Sequence, residues 1–266
     1  MTVDVGSSFE LLSTEEWEEY LGATLFDKMV IDMKKFSSYQ EHIFLYPRLE
    51  EAIKGHNNKV GDLKITYALC RHYFDKGIPD EPWYISPGKE GQSIQYVPNF
   101  EEEHWMRRYW FNHFAENLYL KFFSIWDDVM EILNIFFEID ESIQDYRFRA
   151  NVMKKLKEIQ PDIHTYMFGI LKEETYIEAN KFRTCFVHGY APSTVTNGFL
   201  LEKNKTVSVP ILKDGKVKIV EKKVLASLSC RVGDYTTVKT VMDNIDAFAT
   251  FSGERIEMLI DKILVV

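Results

Sequence analysis

The stretch Trp105–Glu138, WMRRYWFNHFAENLYLKFFSIWDDVMEILNIFFE, carries neither proline nor glycine, the two strongest helix interrupters. Its apolar positions Phe114, Leu118, Phe122, Ile125, Val129, Leu133 and Phe136 recur every three or four residues, the period of one helix face. At 1.5 Å per residue, a helix over this stretch spans about 50 Å. Lys121, Asp127, Asp128 and Glu131 interrupt the run with too much charge for a bilayer span. The pattern predicts the central helix of a bundle.

On the N-terminal side, Ser13-Thr14-Glu15-Glu16 has the form of a capping box, followed by Trp17, Tyr20, Leu21 and Leu25 at helical spacing. Leu63, Tyr67, Cys70 and Phe74 predict a second helix over 62–76, stopped by Gly77. Pro79, Pro82, Pro87 and Pro98 then mark an irregular connection. On the C-terminal side, helical patterns run over 146–159 and restart after Pro161 toward Val187, with Gly189 and Pro192 ending the last helix. The period then changes. Val207, Val209 and Ile211 alternate with polar neighbours, and Asp214-Gly215 is a hairpin signal before Val217 and Ile219. Pro210 places its strand at an edge. These signals predict a small antiparallel β insert over 197–231, then a closing helix over 235–263. The expected architecture is mainly α, one unit over 1–266: N-terminal helices and a proline-rich connection (1–100), core helices (105–190), insert and closing helix.

Composition narrows the class. Of 266 residues, 45% are hydrophobic and 27% charged, as in globular proteins. With 32 basic against 41 acidic residues the net charge is −9, which argues against a surface wrapped in nucleic acid but allows a local basic groove. Residues 1–10 lack a basic and an apolar segment in signal-peptide order, so a cytoplasmic location is expected. Cys70, Cys185 and Cys230 are widely spaced without a CxxC, suggesting reduced thiols rather than disulfides or zinc. The 19 Phe and 14 Tyr predict an aromatic core.

Few chemical motifs are present. No glycine-rich phosphate loop or HExxH occurs. Glu101 and His104 have the Glu-x-x-His spacing of di-metal bundles, but only one copy exists where two plus further glutamates are needed. No metal or cofactor is therefore expected. Cys185 precedes His188 by three residues. Its place near a helix C-terminus suits a buried small hydrophobe rather than an activated thiolate.

Arg183 and His188 stand out within KFRTCFVHGY (181–190), at the end of a predicted helix. Five residues apart, they lie roughly 140° apart on an ideal helix and can share a surface at a frayed last turn. Histidine can move a proton at a 2′-hydroxyl or leaving oxygen. A guanidinium can hold the phosphate as charge builds on its oxygens.

Arg, four residues and His at the end of an apolar helix resembles the motif of the HEPN superfamily (higher eukaryotes and prokaryotes nucleotide-binding domain), with the likeness covering the helical frame from about Trp105 onward. The resemblance implies an all-α domain that homodimerises to build one composite cleft. It also implies metal-independent endoribonuclease activity of a defence or toxin type (abortive infection, toxin–antitoxin), leaving a 2′,3′-cyclic phosphate. His188 would be the general acid/base and Arg183 the transition-state stabiliser. Thr184 stands where active members carry Asn, Asp or His, a departure bearing on activity. His188-Gly189-Tyr190 matches the His-x-Tyr of HEPN toxins whose Tyr is adenylylated by a nucleotidyltransferase antitoxin, although those toxins are much shorter. An alternative is an inactive HEPN module that binds nucleotide, RNA or a partner protein.

Supporting roles are expected for Thr184, Tyr190, Asp127 and Asp128, one of the two acids orienting Arg183 from the facing helix. RNA contacts are expected at Lys154 and Lys155, within a basic run with Arg147, Arg149 and Lys157. Further contacts are expected at Lys216 and Lys218, in the lysine-rich stretch 202–223. The expected partners are RNA, a second copy and an antitoxin or other defence protein, not DNA or a membrane.

Overall fold

The computed structural model describes residues 9–22, 24–80, 100–188, 191–193, 197–213, 216–232 and 236–265. The chain is mainly helical: α1 (Thr14–Leu21), two 3₁₀ helices (Thr24–Met29 and Met33–Tyr39), α2 (Leu45–Asp75), α3 (Glu102–Phe136), α4 (Phe148–Ile159), α5 (Pro161–Ile170), α6 (Glu174–His188) and α7 (Val238–Ile263). Among the described residues, no helix is long and apolar enough to cross a membrane.

Helix α3 is the central element that its sequence predicts, and α2 is its principal neighbour. Phe111, Ala115, Leu118, Phe122, Ile125, Val129, Ile132 and Leu133 are all buried along it. Its C-terminal end is tied by the buried Asn134, whose side chain donates to the Glu141 carbonyl and accepts from the Glu141 amide, both at 3.0 Å. That clamp encloses a turn in which Glu138 and Asp140 take positive φ, a conformation that needs support in residues with a Cβ.

Helix α2 begins well before the 62–76 expected. Leu45, Leu49, Ile53, His56, Val60 and Leu63 form a buried stripe that carries the helix through Gly55 and Gly61. Asn57, a weak helix former, pairs its amide with both the carbonyl and the amide of Ile31 at 2.9 Å. Pro47 lies in the first turn, where a missing N–H costs little. The end agrees with expectation: Gly77 has φ +83° and its amide donates to the Phe74 carbonyl.

Helix α1 carries the expected capping box, with Ser13 and Glu16 serving each other's backbone amides. It ends at Leu21, so Leu25 belongs to the first 3₁₀ helix. The expected run from Pro161 toward Val187 is broken. Lys172 and Glu173 donate to the carbonyls three residues back, and this tight turn re-aims the chain into α6. Arg255 of α7 grips Glu173 with two hydrogen bonds of 2.9 and 2.8 Å and fixes the start of α6.

Helix α7 starts at Val238, with the Thr237 side chain accepting from the Thr240 amide. It closes over α3, α5, α6 and the first 3₁₀ helix. Gly253 permits that last approach, since a Cβ there would lie 3.1 Å from the Lys28 side chain. Phe248 sits at the aromatic centre, with ring centroids 5.2 Å from Phe122, 5.5 Å from Phe123 and 5.9 Å from Tyr176.

Between α6 and α7, β1 (Asn197–Lys213) and β2 (Lys216–Val232) pair antiparallel, the register running from Asn197 opposite Val232 to Lys213 opposite Lys216. Asp214 and Gly215, expected to form the turn, lie outside the described residues. The register shifts between Leu201 and Lys205 mark bulges in the ribbon. Its neck is closed by the Thr236 amide donating to the Pro192 carbonyl at 3.0 Å.

Candidate functional site

Helix α6 is set by its inner face. Tyr176, Ala179 and Phe186 are buried, and Phe182 stacks on Tyr119 of α3 with centroids 5.8 Å apart. Phe186 meets the same ring at 5.6 Å, while Tyr176 meets Phe123 and Trp126 further along α3. Later residues of α6 therefore meet earlier residues of α3, so the helices run antiparallel. Burial pushes the Tyr119 hydroxyl well above its ordinary pKa, and it donates to Asn244 of α7 at 2.7 Å. One neutral, hydrogen-bonded tyrosine joins the three helices.

Arg183 and His188 occupy the last two turns of this fixed helix. Arg183 turns inward: its guanidinium carbon lies 5.1 Å from the centre of the Phe123 ring. Its Nε is buried with no hydrogen-bond partner among the described residues. His188 is the final helical residue and is exposed. No hydrogen bond joins the pair among the described residues. Arg183 is half-buried against Phe123 and His188 is exposed, so a shared phosphate would have to bridge them.

The supporting residues are placed differently from expectation. Asp127 pairs with Arg149 of α4, and Asp128 accepts from Lys59 of α2 at 2.6 Å, so both expected orienting acids have other cations as partners. Lys59 also donates to Ser124 at 3.1 Å, so one α2 cation serves two side chains of α3. The Thr184 hydroxyl donates to the Asn180 carbonyl at 2.8 Å, a bond within its own helix. Tyr190 lies outside the described residues. Lys154 and Lys155 are exposed on α4. This helix reaches the site through Arg149, which also donates to the Phe123 carbonyl at 3.2 Å. Burial raises the Tyr176 pKa and nearby Asp127 adds to the shift, while Arg149 and Arg183 oppose it. Lys216 and Lys218 lie in β2, opposite Lys213 and Ile211.

Cys185 is a correction: it is exposed, because position 185 falls on the outer face of α6 with Lys181 and Thr184. Cys70 is buried, and desolvation holds its thiol well above the ordinary range. Native protein treated with iodoacetamide should therefore leave Cys70 unlabelled until it is denatured. Peptide mass mapping reads the result, and rapid native labelling of Cys70 would contradict the packing. The Glu101/His104 pair also has a local role: the Glu101 amide donates to the His104 ring at 2.9 Å, closing the α3 N-terminus.

Sequence reasoning missed the clamp behind the motif. Ser193 is fully buried, its hydroxyl bonded to the Asn112 side chain and its carbonyl accepting from Arg108 at 3.4 Å. Asp80 is also buried and accepts from the Val238 amide at 2.8 Å, anchoring α7. A signal existed: Arg108 and Asn112 precede Ala115 and Tyr119 at helical spacing, polar positions in phase with a buried stripe.

A helical frame with an Arg-x4-His motif at the end of a packed helix defines a HEPN-class domain. A family model matches residues 53–263, and the chain belongs to this family, the Cthe2314-like HEPN domains. Comparisons with curated proteins and with solved structures give no match.

Proposed function

We propose that the protein is a metal-independent endoribonuclease whose cleft is completed by a second copy of the chain. Family membership supports a nuclease or RNA-related role. The observation carrying the finer reading is Arg183, a cation with a buried, unpartnered Nε beside an exposed histidine at the same helix end. His188 takes the 2′-hydroxyl proton as O2′ attacks phosphorus. The phosphorus–O5′ bond breaks, and a second acid returns a proton to O5′, giving a 2′,3′-cyclic phosphate and a 5′-hydroxyl. Arg183 neutralises charge on the non-bridging oxygens.

One motif supplies one histidine, whereas the reaction needs a base and an acid on opposite sides of phosphorus. An isologous contact across the exposed face of α6, where Ile177, Lys181, Thr184 and His188 recur, brings in the second. In this reading the β ribbon is an insert in the HEPN frame, its lysines and those of α4 attracting RNA. A toxin or defence setting, with an antitoxin or other defence protein as partner, accords with the class.

The Thr184–Asn180 bond favours the alternative, an inactive HEPN module binding RNA or a protein, because it leaves the usual polar position committed to its own backbone. The deciding experiment incubates the protein with single-stranded RNA in excess EDTA and measures its mass by light scattering. Cleavage with a cyclic-phosphate end by a dimer supports the enzyme. Binding without cleavage selects the inactive module, and a monomer or cleavage abolished by EDTA overturns the mechanism. The logarithm of affinity should fall with the logarithm of salt at a slope of about 2 to 4, at roughly 0.7 per phosphate contact. Lys154→Ala with Lys155→Ala should lower that slope.

A further inference from the structure

Because α3 and α6 run antiparallel, the first turns of α3 continue past the end of α6, beyond His188. Three residues there have properties that packing alone does not use. Arg108 is buried, and among the described residues its hydrogen-bond partner is a carbonyl rather than a carboxylate. Its guanidinium carbon lies 4.5 Å from the Trp105 ring centre and 5.2 Å from that of Phe100. Among the described residues its guanidinium makes one long hydrogen bond, 3.4 Å to the Ser193 carbonyl, leaving most of a five-donor fork for other acceptors. A buried charge is ordinarily paired, and the rings offset only part of the desolvation cost. Beside it, Tyr109 is 48% exposed and Trp105 37% exposed.

We propose that this end of α3 is a nucleotide subsite: a base stacks on Tyr109 and Trp105 while its phosphate takes the free donors of Arg108. The proposal rests on the ribonuclease reading and names its substrate as single-stranded RNA, since a duplex keeps its base faces occupied. The nearby acids do not oppose it as a block. Glu101 sits in the capping box, and Glu103 is bonded to Arg107 at 2.9 Å. The Arg108–Ser193 contact joins the subsite to the chain that follows α6.

The test uses the His188→Ala protein, expected from the proposed mechanism to bind without cutting, and three fluorescent RNAs of equal length: single-stranded, single-stranded with abasic positions, and duplex. Base stacking predicts that the intact single strand binds about 5- to 150-fold tighter than its abasic counterpart. Tyr109→Ala should collapse that ratio toward one, and Tyr109→Phe should keep it. This ratio compares two ligands on one protein, so a general loss of folding does not mimic the result. An unchanged ratio in Tyr109→Ala, or a duplex bound as tightly as the single strand, overturns the subsite. If Tyr109→Ala instead splits a dimer and leaves the ratio intact, the surface belongs to a second copy. No binding of any RNA, with no cleavage by the wild type, removes the ribonuclease reading itself.

Discussion

His188→Ala should lower single-turnover cleavage at saturating RNA by about 10² to 10⁴-fold, the usual contribution of a positioned acid or base. Its melting temperature should stay that of the wild type, because the side chain is exposed at the last turn of α6. Arg183→Ala should cost about 10² to 10³-fold by removing a donor aimed at developing charge. It should also lose about 0.5 to 1 kcal/mol of stability, because its guanidinium lies over the Phe123 ring. Arg183→Lys should restore stability better than rate, since an ammonium lacks the planar fork. The double variant should be little slower than His188→Ala alone, as for residues that act as a unit. Equal cleavage by wild type and His188→Ala would end the mechanism.

Phe248→Ala should be the most damaging single truncation in the frame, destabilising the protein by about 3 to 5 kcal/mol. Phe248 is fully buried and touches aromatic rings of α3, α6 and its own helix, so no one neighbour can fill the space. Against a total stability of about 5 to 15 kcal/mol, such a loss brings the folded state near its limit. Urea titration would show it as a lower midpoint. Tyr146→Ala serves as control, because Tyr146 is exposed and its loss should change stability by no more than about 0.5 kcal/mol. A small effect at Phe248 would mean that the centre of the core lies elsewhere.

The central helix was legible because seven apolar positions kept one period with no breaker among them. Helix α2 was not legible before residue 62, because Gly55, Asn57 and Gly61 read as poor helix formers. Its first half is held by burial and by Asn57's bonds to Ile31, contacts far apart in sequence. The break at 171–173 was hidden for the same reason, since Glu173 turns there to reach Arg255 on α7. Spacing and resemblance pointed to Arg183 and His188, and the structure places both in the last two turns of α6. Their electrostatic neighbours could not be named. Asp127 and Asp128 looked equally able to face α6, but they pair with cations on α4 and α2. Cys185 was misjudged because a thiol among Thr, Phe and Val suggests burial, whereas the helix phase places it outward.

The bond between the Thr236 amide and the Pro192 carbonyl means that the chain leaves and re-enters the helical body at one point. Topologically, the roughly forty residues between them are a cassette that the frame can lose. Replacing 194–235 by a few glycines and serines would shorten the closed loop by about three doublings, sparing about 2 kcal/mol of closure entropy. The trimmed body should then melt no lower than the parent. The same geometry separates whatever the ribbon carries from the packing of α6 on α3, so a change in one leaves the other undisturbed.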